Sequence, residues 1–578
     1  MKTIYKSIML CMLSLAIIAG ADAQNIAKND TTLNRQILLE RDFNPTLQDA
    51  SKINTLPAIH EPLVKQANVQ FEERQPSLNF SNYPLGDTGS GDIKTAIGFN
   101  KKRGYFSLGA GNYANFEGKA GYRIVDSADG EFDLFARYNS TNGKIKYADQ
   151  DYSLQDAKAK YNNMLIAARF QHSFSTSSVW RLNGGYENIA FNYYGNPFET
   201  TAFDLNSQQS VGIVNLETGF KSMIEYLLNY DVFLKFDHFS TKRGPVSSDK
   251  GVSGSILDGG VRLLAAPFNG GNQVGLNLQF HNQSFSKPAF ATSESAFHSL
   301  FKISANPHFD IDGDNFFVSL GLTANYVADL ENKFLMAPNI DFLWQFVDKA
   351  SFYANVTGKI NENTYLQTLQ ENRYFDPSCK VNYSRTIFDG TVGFKSGVID
   401  GVEFNLSGGY KQTNDEHLYT VTSSGSWANV SKAEYVNLGT GHFSGLIKTN
   451  LIPYTDLSAK LTGYFYSVDG NDYDGATREF NAWNLPSMTF GLNADVKPIE
   501  NLILSAGYEL SAGREASFNN DIRKMKDINE LNLGGAYQIM DWVSVNIKLN
   551  NVLNQKYESW YGYTHQGFNA MAGISLKF

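Results

Sequence analysis

From Gly104 to Phe578 the chain alternates apolar and polar side chains residue by residue, in long runs separated by turn-rich polar stretches. Val274, Leu276, Leu278 and Phe280 interleave with Gly275, Asn277, Gln279 and His281. Val402, Phe404, Leu406, Gly408 and Tyr410 interleave with Glu403, Asn405, Ser407, Gly409 and Lys411. The same period holds in Phe316 to Tyr326, Leu502 to Leu510 and Val543 to Leu549. Successive side chains on a strand point to opposite faces, so this period demands sheets with one apolar and one polar face. Ordinary strands average about 5 or 6 residues, whereas a tilted strand needs about 9 to 11 to cross hydrocarbon. Many runs here have the second length. An open sheet cannot sit in lipid, because each unpaired backbone group there costs several kcal/mol. The pattern therefore predicts an all-β fold: a transmembrane antiparallel β-barrel with lipid outside and water inside.

The spacing of turns gives the strand count. Short turns fall near Ser127 to Gly130, Ser175 to Ser178, Ser222 to Glu225, Asn269 to Gly271, Asp310 to Asp314, Asp348-Lys349, Val398 to Gly401, Pro453 to Asp456, Pro498 to Asn501 and Met540-Asp541. Between them lie mostly longer polar loops, including Asn139 to Lys158, Asn196 to Gln208, Asn361 to Ser384, Asn414 to Val436, Asp469 to Pro486, Arg514 to Asp527 and Gln555 to Gln566. Tight periplasmic turns and long external loops are the membrane-barrel arrangement. The count is about 22 strands from Gly104 onward, with about 24 as the alternative; Ile93 to Phe99 also alternates, but adding it alone would make the number odd, so it reads as a leading strand-like segment. Pro307 and Pro338 fall inside predicted strands, where proline cannot donate to the ladder. A barrel of this size encloses a lumen too wide for its own side chains to fill.

The N-terminus supplies an address. Lys2 and Lys6 precede an apolar stretch from Ile8 to Ile18, and Ala21-Asp22-Ala23 offers small residues for cleavage before Gln24, so residues 1–23 read as a signal peptide. Cys11 follows Ile8, Met9 and Leu10, without the small residue a lipoprotein signal needs. Cleavage leaves Cys379 alone, which excludes an intramolecular disulfide. No later run approaches the roughly 20 apolar residues of a membrane helix. Aromatic residues make up 13% of the chain and glycines number 49, which suits aromatic girdles outside and a crowded inner face. The formal charge of −9 is mild and dispersed, so nucleic acid is not an expected partner.

Residues 24–92 differ. Five of the fifteen prolines lie here (Pro45, Pro57, Pro62, Pro76, Pro84) and apolar residues come in short bursts, too few for a core. This segment reads as a reduced plug or as a partner-binding leader, with residues 93–578 forming the barrel.

The chain ends on Gly573-Ile574-Ser575-Leu576-Lys577-Phe578, with Phe568, Ala570, Ala572, Ile574, Leu576 and Phe578 on one face. Gly573, Leu576 and the terminal Phe578 resemble the signal read by the barrel-assembly machinery of Gram-negative bacteria, with Met571 in a place that is usually polar. The strand count and the final hairpin, Asn551-Val552-Leu553-Asn554-Gln555-Lys556-Tyr557 followed by an aromatic loop, resemble TonB-dependent receptors, in particular plug-poor relatives in the Bacteroidota. That resemblance implies the outer membrane, contact with lipid and lipopolysaccharide, transport of a small nutrient through a porin-like barrel, and TonB as a partner. The segment that would touch TonB is Gln36-Ile37-Leu38-Leu39-Glu40. The departure from the family is the short stretch ahead of the barrel. A second reading makes the barrel a structural or assembly subunit that binds a periplasmic or outer-membrane protein through residues 24–92.

Nothing points to an enzyme: there is no Gly-x-Ser-x-Gly elbow, His-Glu-x-x-His helix or Walker loop, and the nine histidines are scattered. No cofactor motif or metal site is expected. Asp310, Asp312 and Asp314 lack the downstream carboxylate of a calcium loop and read as a hairpin turn, and Asp469, Asp472 and Asp474 read as solvated loop acids. Tyr557, Trp560, Tyr561 and Tyr563 form an aromatic loop suited to the interfacial girdle or, alternatively, to stacking on a flat ligand. Lys235, Lys411, Lys548, Glu403 and Glu509 have the parity of the lumen face.

Overall fold

The computed structural model describes residues 102–148, 156–174, 178–195, 208–222, 228–244, 251–266, 272–286, 297–328, 333–347, 349–377, 379, 381–397, 401–421, 430–470 and 480–578. Residues 1–23, expected to be a signal peptide, the 24–92 segment with Gln36 to Glu40, and Ile93 to Phe99 lie outside these residues.

One 24-stranded sheet dominates. Two of its members, Glu515–Phe518 and Asp521–Lys524, form a short hairpin above the wall, leaving twenty-two wall strands. In chain order these are β1 (Gly104–Gly111), β2 (Phe116–Asp126), β3 (Gly130–Ile145), β4 (Ala157–Phe174), β5 (Ser178–Asn192), β6 (Gln208–Ser222) and β7 (Leu228–Thr241). They continue as β8 (Ser253–Ala265), β9 (Gln273–Ser286), β10 (Leu300–Asp312), β11 (Phe316–Ala328), β12 (Lys333–Val347), β13 (Ala350–Asn361), β14 (Ser384–Ser396) and β15 (Val402–Val421). The remainder are β16 (Ser431–Thr449), β17 (Thr455–Gly470), β18 (Met488–Ile499), β19 (Leu502–Ala512), β20 (Ile528–Met540), β21 (Val543–Asn550) and β22 (Asn569–Lys577).

Each strand pairs antiparallel with its neighbours in sequence, and β22 closes on β1 with Tyr105 opposite Lys577 and Gly111 opposite Met571. The terminal residue completes the seam, since the backbones of Gly104 and Phe578 exchange hydrogen bonds of 2.8 and 2.9 Å. A Cβ on Gly104 would lie 2.6 Å from the Phe578 ring, so a larger residue there would displace that terminal ring. Gly573 and Leu576 sit on β22 opposite Asn546 and Val543, and Phe578 is exposed against Tyr122. Met571 is buried on the inward face.

The two prolines are accommodated where a ladder is interrupted. Pro307 faces Leu276 of β9, while the β10–β11 register passes over Asn306 and Pro307. Pro338 pairs towards β11, and the β12–β13 ladder begins only at Ile340. A missing N–H costs nothing on an edge that is not paired.

The outward face is apolar, with Leu216, Leu234, Ile303, Val392 and Ile447 exposed as lipid contacts. At the short-turn end, rings of adjacent strands form a belt: Phe132 to Phe170 at 6.5 Å, Phe170 to Trp180 at 5.4 Å and Trp180 to Phe220 at 6.0 Å. Such belts place amphipathic or aromatic rings at the membrane surface. At the other end β4, β15 and β16 run to 18, 20 and 19 residues, beyond what hydrocarbon requires, and raise a wall around the mouth. That end carries the long loops.

Candidate functional site: a lid across the mouth

The β13–β14 connection turns inward instead of out into solvent. Thr364 caps a short helix, α1 (Tyr365–Glu371), through a reciprocal box: the Gln367 N–H donates to Thr364 Oγ1 at 3.2 Å, and the Thr364 N–H donates to Gln367 Oε1 at 2.8 Å. Tyr365, Leu366 and Leu369 are buried on one side of it. Arg373, Tyr374 and Phe375 follow, and the chain then pairs with the start of β16, Asp376 N–H donating to Ser431 O and Ser431 N–H to Tyr374 O.

The partners of this segment lie far around the ring. Tyr365 stacks on Phe239 of β7 at 5.6 Å and its N–H donates to Gln283 of β9. Tyr374 meets Phe191 of β5 edge-on at 5.9 Å, and the Arg373 guanidinium lies 4.4 Å above the Tyr161 ring of β4. Since β4 stands nine places from β13 in a closed ring of twenty-two, the segment reaches close to the opposite side. A ring of that many strands spaced about 4.8 Å apart is on the order of 40 Å across, far beyond the reach of side chains from the wall alone. The described residues of 362–383 are therefore a lid, docked on an apolar upper inner wall that includes Ile145, Ala159, Val211, Ile213 and Ile256.

The last loop locks the lid from above. Tyr563 stacks on Tyr374 with ring centroids 3.4 Å apart and meets Tyr194 edge-on at 5.3 Å. Trp560 packs on Tyr419 at 4.9 Å, Tyr561 on Phe518 at 5.6 Å, and Tyr557 stacks on His565 at 5.0 Å and hydrogen-bonds to Glu530. All four aromatic side chains of this loop are buried, so they belong to the mouth and not to the membrane girdle. In this conformation their faces are taken by protein. Three hydroxyls tie the cluster to backbone carbonyls: Tyr147 donates to Tyr194 O at 2.6 Å, Tyr194 to Thr564 O at 3.0 Å and Tyr365 to Pro377 O at 3.1 Å. Burial raises the phenol pKa of Tyr194, Tyr365, Tyr374 and Tyr563, which keeps them neutral. Arg514 donates to the carbonyls of Glu558, Ser559 and Lys526, tying two loops together, and burial brings it down to about 10.

A polar latch holds the far end of α1. Glu371 accepts from His417 at 2.8 Å and from Tyr419 at 3.1 Å, with Glu416 3.4 Å from the other imidazole nitrogen and Lys411 near Glu416. Burial alone would depress His417, but the Glu371 carboxylate outweighs it and lifts the imidazole to about 9. The lid also holds Cys379, whose thiol burial pushes up to about 11, so it is a poor nucleophile at neutral pH.

Below the lid the inner wall is polar. Asp133 accepts from Arg123 and Arg169, each at 2.8 Å, and Lys235 pairs with Asp237 and Lys548 with Glu117, each at 2.7 Å. Lys411 and Glu403 lie 4.0 Å from Glu416 and Lys448, and Glu509 faces Glu530 across β19–β20. On β9 to β12 the wall is amide-rich, with Asn277 and Asn339 both donating to Asn306. Among the described residues no three or more His, Cys, Asp or Glu side chains converge on a metal-sized site. Asp310 and Asp312 end β10 at a hairpin closed by Gly313 N–H donating to Phe316 O. Asp469 is on β17, and Asp472 and Asp474 lie outside the described residues.

This architecture defines a class: a closed twenty-two-stranded outer-membrane-type barrel whose loops fold over its mouth. Solved structures of the same fold include the siderophore receptor PirA from Acinetobacter baumannii, at 11% identity and a TM-score of 0.65 over 83% of this chain and 81% of that one. The pyoverdine outer-membrane receptor FpvA from Pseudomonas aeruginosa, bound to pyoverdine, matches at 13% identity and 0.61 over 86% and 82%. A variant of the ferric enterobactin receptor PfeA from the same species matches at 10% and 0.62 over 82% and 80%. At such identities the likeness is one of fold. No family model and no curated protein matches the chain.

The sequence placed the strands, turns and lumen parity but not the lid. Its signal was present in Thr364-Tyr365-Leu366-Gln367, a capping-box pattern running into Leu366 and Leu369 at helical spacing.

Proposed function

We propose that the protein is an outer-membrane transporter for a small nutrient, gated outside by the lid at residues 362–383. The observation that carries this reading is the lid itself: a wide, polar-walled barrel needs a removable barrier only if something is to pass. In this reading residues 24–92 fold into the lumen as a reduced plug, Gln36 to Glu40 engage TonB, and the two barriers lie in series. Gly573, Leu576 and Phe578 present the closing strand to the barrel-assembly machinery of a Gram-negative bacterium of the Bacteroidota, and the apolar belt meets lipid and lipopolysaccharide. The fold-level likeness to receptors of iron-carrying ligands supports transport without naming this chain's cargo.

Swelling of proteoliposomes in small sugars tests it, comparing the full chain, a form lacking residues 24–92, a form with residues 365–377 replaced by a short Gly-Ser linker, and the double variant. Fast swelling confined to the double variant is the expected result. If the double variant swells no faster than the full chain, and a stoichiometric partner co-purifies only when residues 24–92 are present, the assembly-subunit reading replaces this one.

A further inference from the structure

Away from the lid, a cleft of about 340 Å³ opens at the outer end of β17. That volume is at the small end of ligand sites. Its floor is Tyr464 and Tyr466, two residues apart on the inward face of β17, their ring centroids 6.1 Å apart and planes within 12°. Tyr466 is fixed by its hydroxyl, which donates to Pro486 O at 2.8 Å. Phe480, Asn481 and Ser487 from the β17–β18 loop and Glu515 from the loop after β19 form the rim. Asn481 Nδ2 donates to Glu515 Oε2 at 3.0 Å, which holds an amide and a carboxylate side by side facing the same space.

We propose that this cleft binds a neutral sugar ring. A pyranose has one face of C–H groups and an edge of hydroxyls. Near-parallel aromatic faces attract C–H groups through the negative face of the ring, and two adjacent rings cover more of one sugar than a single side chain could. The edge needs acceptors and donors in pairs, which the carboxylate of Glu515 and the amide of Asn481 supply, with the Ser487 hydroxyl beside them. A flat apolar ligand would desolvate the Glu515 carboxylate without offering it a donor. An anionic ligand such as a phosphate or an organic acid would face the Glu515 charge. The proposal rests on the long-loop end facing outward and not on passage through the barrel, so it stands or falls separately from transport.

The test is titration calorimetry on the detergent-purified full chain, using methyl glucoside, methyl galactoside, N-acetylglucosamine and maltose, with tetramethylammonium as the cationic competitor for an aromatic-carboxylate site. Saturable millimolar binding of at least one sugar is expected. Tyr464→Ala should weaken it about tenfold, the value of one lost ring face. Tyr464→Phe should leave it within about twofold, because the ring and not the hydroxyl is used. Glu515→Gln should weaken it several-fold while leaving heat-modifiable gel mobility unchanged. Absence of saturable binding by every sugar, binding that survives Tyr464→Ala, or binding of tetramethylammonium alone would overturn the assignment.

Discussion

Two sets of aromatic rings occupy the two ends of this barrel and do different work. At the short-turn end Phe132, Phe170 and Trp180 pack edge-on and Trp180 stacks on Phe220, all on the outward face. At the mouth Tyr194, Tyr365, Tyr374 and Tyr563 pack inward and are buried. The girdle is mostly phenylalanine because its surroundings are apolar; its one polar ring, Trp180, donates to Thr218 Oγ1 at 2.9 Å. The mouth is mostly tyrosine because its rings replace water between loops whose carbonyls must be satisfied, and the hydroxyls of Tyr147, Tyr194 and Tyr365 do that. Ring content alone therefore does not locate a residue in a barrel; the hydroxyl and the backbone it meets do.

The largest break in this comparison should come from the pair that locks the lid. Tyr374→Ala with Tyr563→Ala removes the closest stack and should expose the lid, raising the rate of Cys379 labelling by an impermeant maleimide on intact cells by about tenfold or more, given about 0.5–1.5 kcal/mol per ring pair. Trp180→Ala, in the girdle, should leave that labelling rate unchanged while lowering the temperature of the heat-modifiable transition. Equal effects of the two would erase the distinction between the ends.

The latch sharpens the comparison with pH. His417 is lifted above its ordinary value to about 9 by Glu371. A raised folded-state pKa means that the stabilising charge is fully present below the ordinary histidine value near 6.5 and is lost as pH rises through about 9. Labelling of Cys379, corrected for thiolate formation with a free-thiol standard, should accordingly rise between neutrality and pH 10, and His417→Gln should flatten the profile. A wild-type profile that parallels the standard would remove the latch from the account. The smallest effect is expected at the helix cap, where Thr364→Ala costs about 1 kcal/mol locally and should increase hydrogen exchange in 365–371 without opening the mouth.

How legible each end was follows from what constrains it. Lipid enforces parity on every wall residue, so β9, β15 and the lumen positions Lys235, Glu403 and Lys548 could be read directly from alternation. Turns were legible because Asp, Asn, Gly and Pro cluster where strands reverse. The mouth was not. Tyr374 and Phe191 are separated by most of the half-barrel, and no local pattern records that they meet. The composition of the aromatic loop at Tyr557 to Tyr563 suits an interfacial girdle or a stacked ligand; the strands extend past the membrane and carry it into the mouth. Only the helix α1 left a local signature, in the Thr364 and Gln367 box, and the surrounding polar residues made that stretch look like an ordinary surface loop.

The central claim is that residues 362–383 reach across the mouth to the opposite wall. In a Cys379→Ser background, Tyr161→Cys and Arg373→Cys place one thiol on β4 and one on the lid, where the native side chains are 4.4 Å from guanidinium carbon to ring centre. Treating intact cells with a short bis-maleimide and mapping peptides by mass spectrometry should recover a covalent link between the β4 and lid peptides in most of the protein. If both thiols react freely with a monofunctional maleimide and no linked peptide forms, the lid does not span the mouth and the account of its function fails with it.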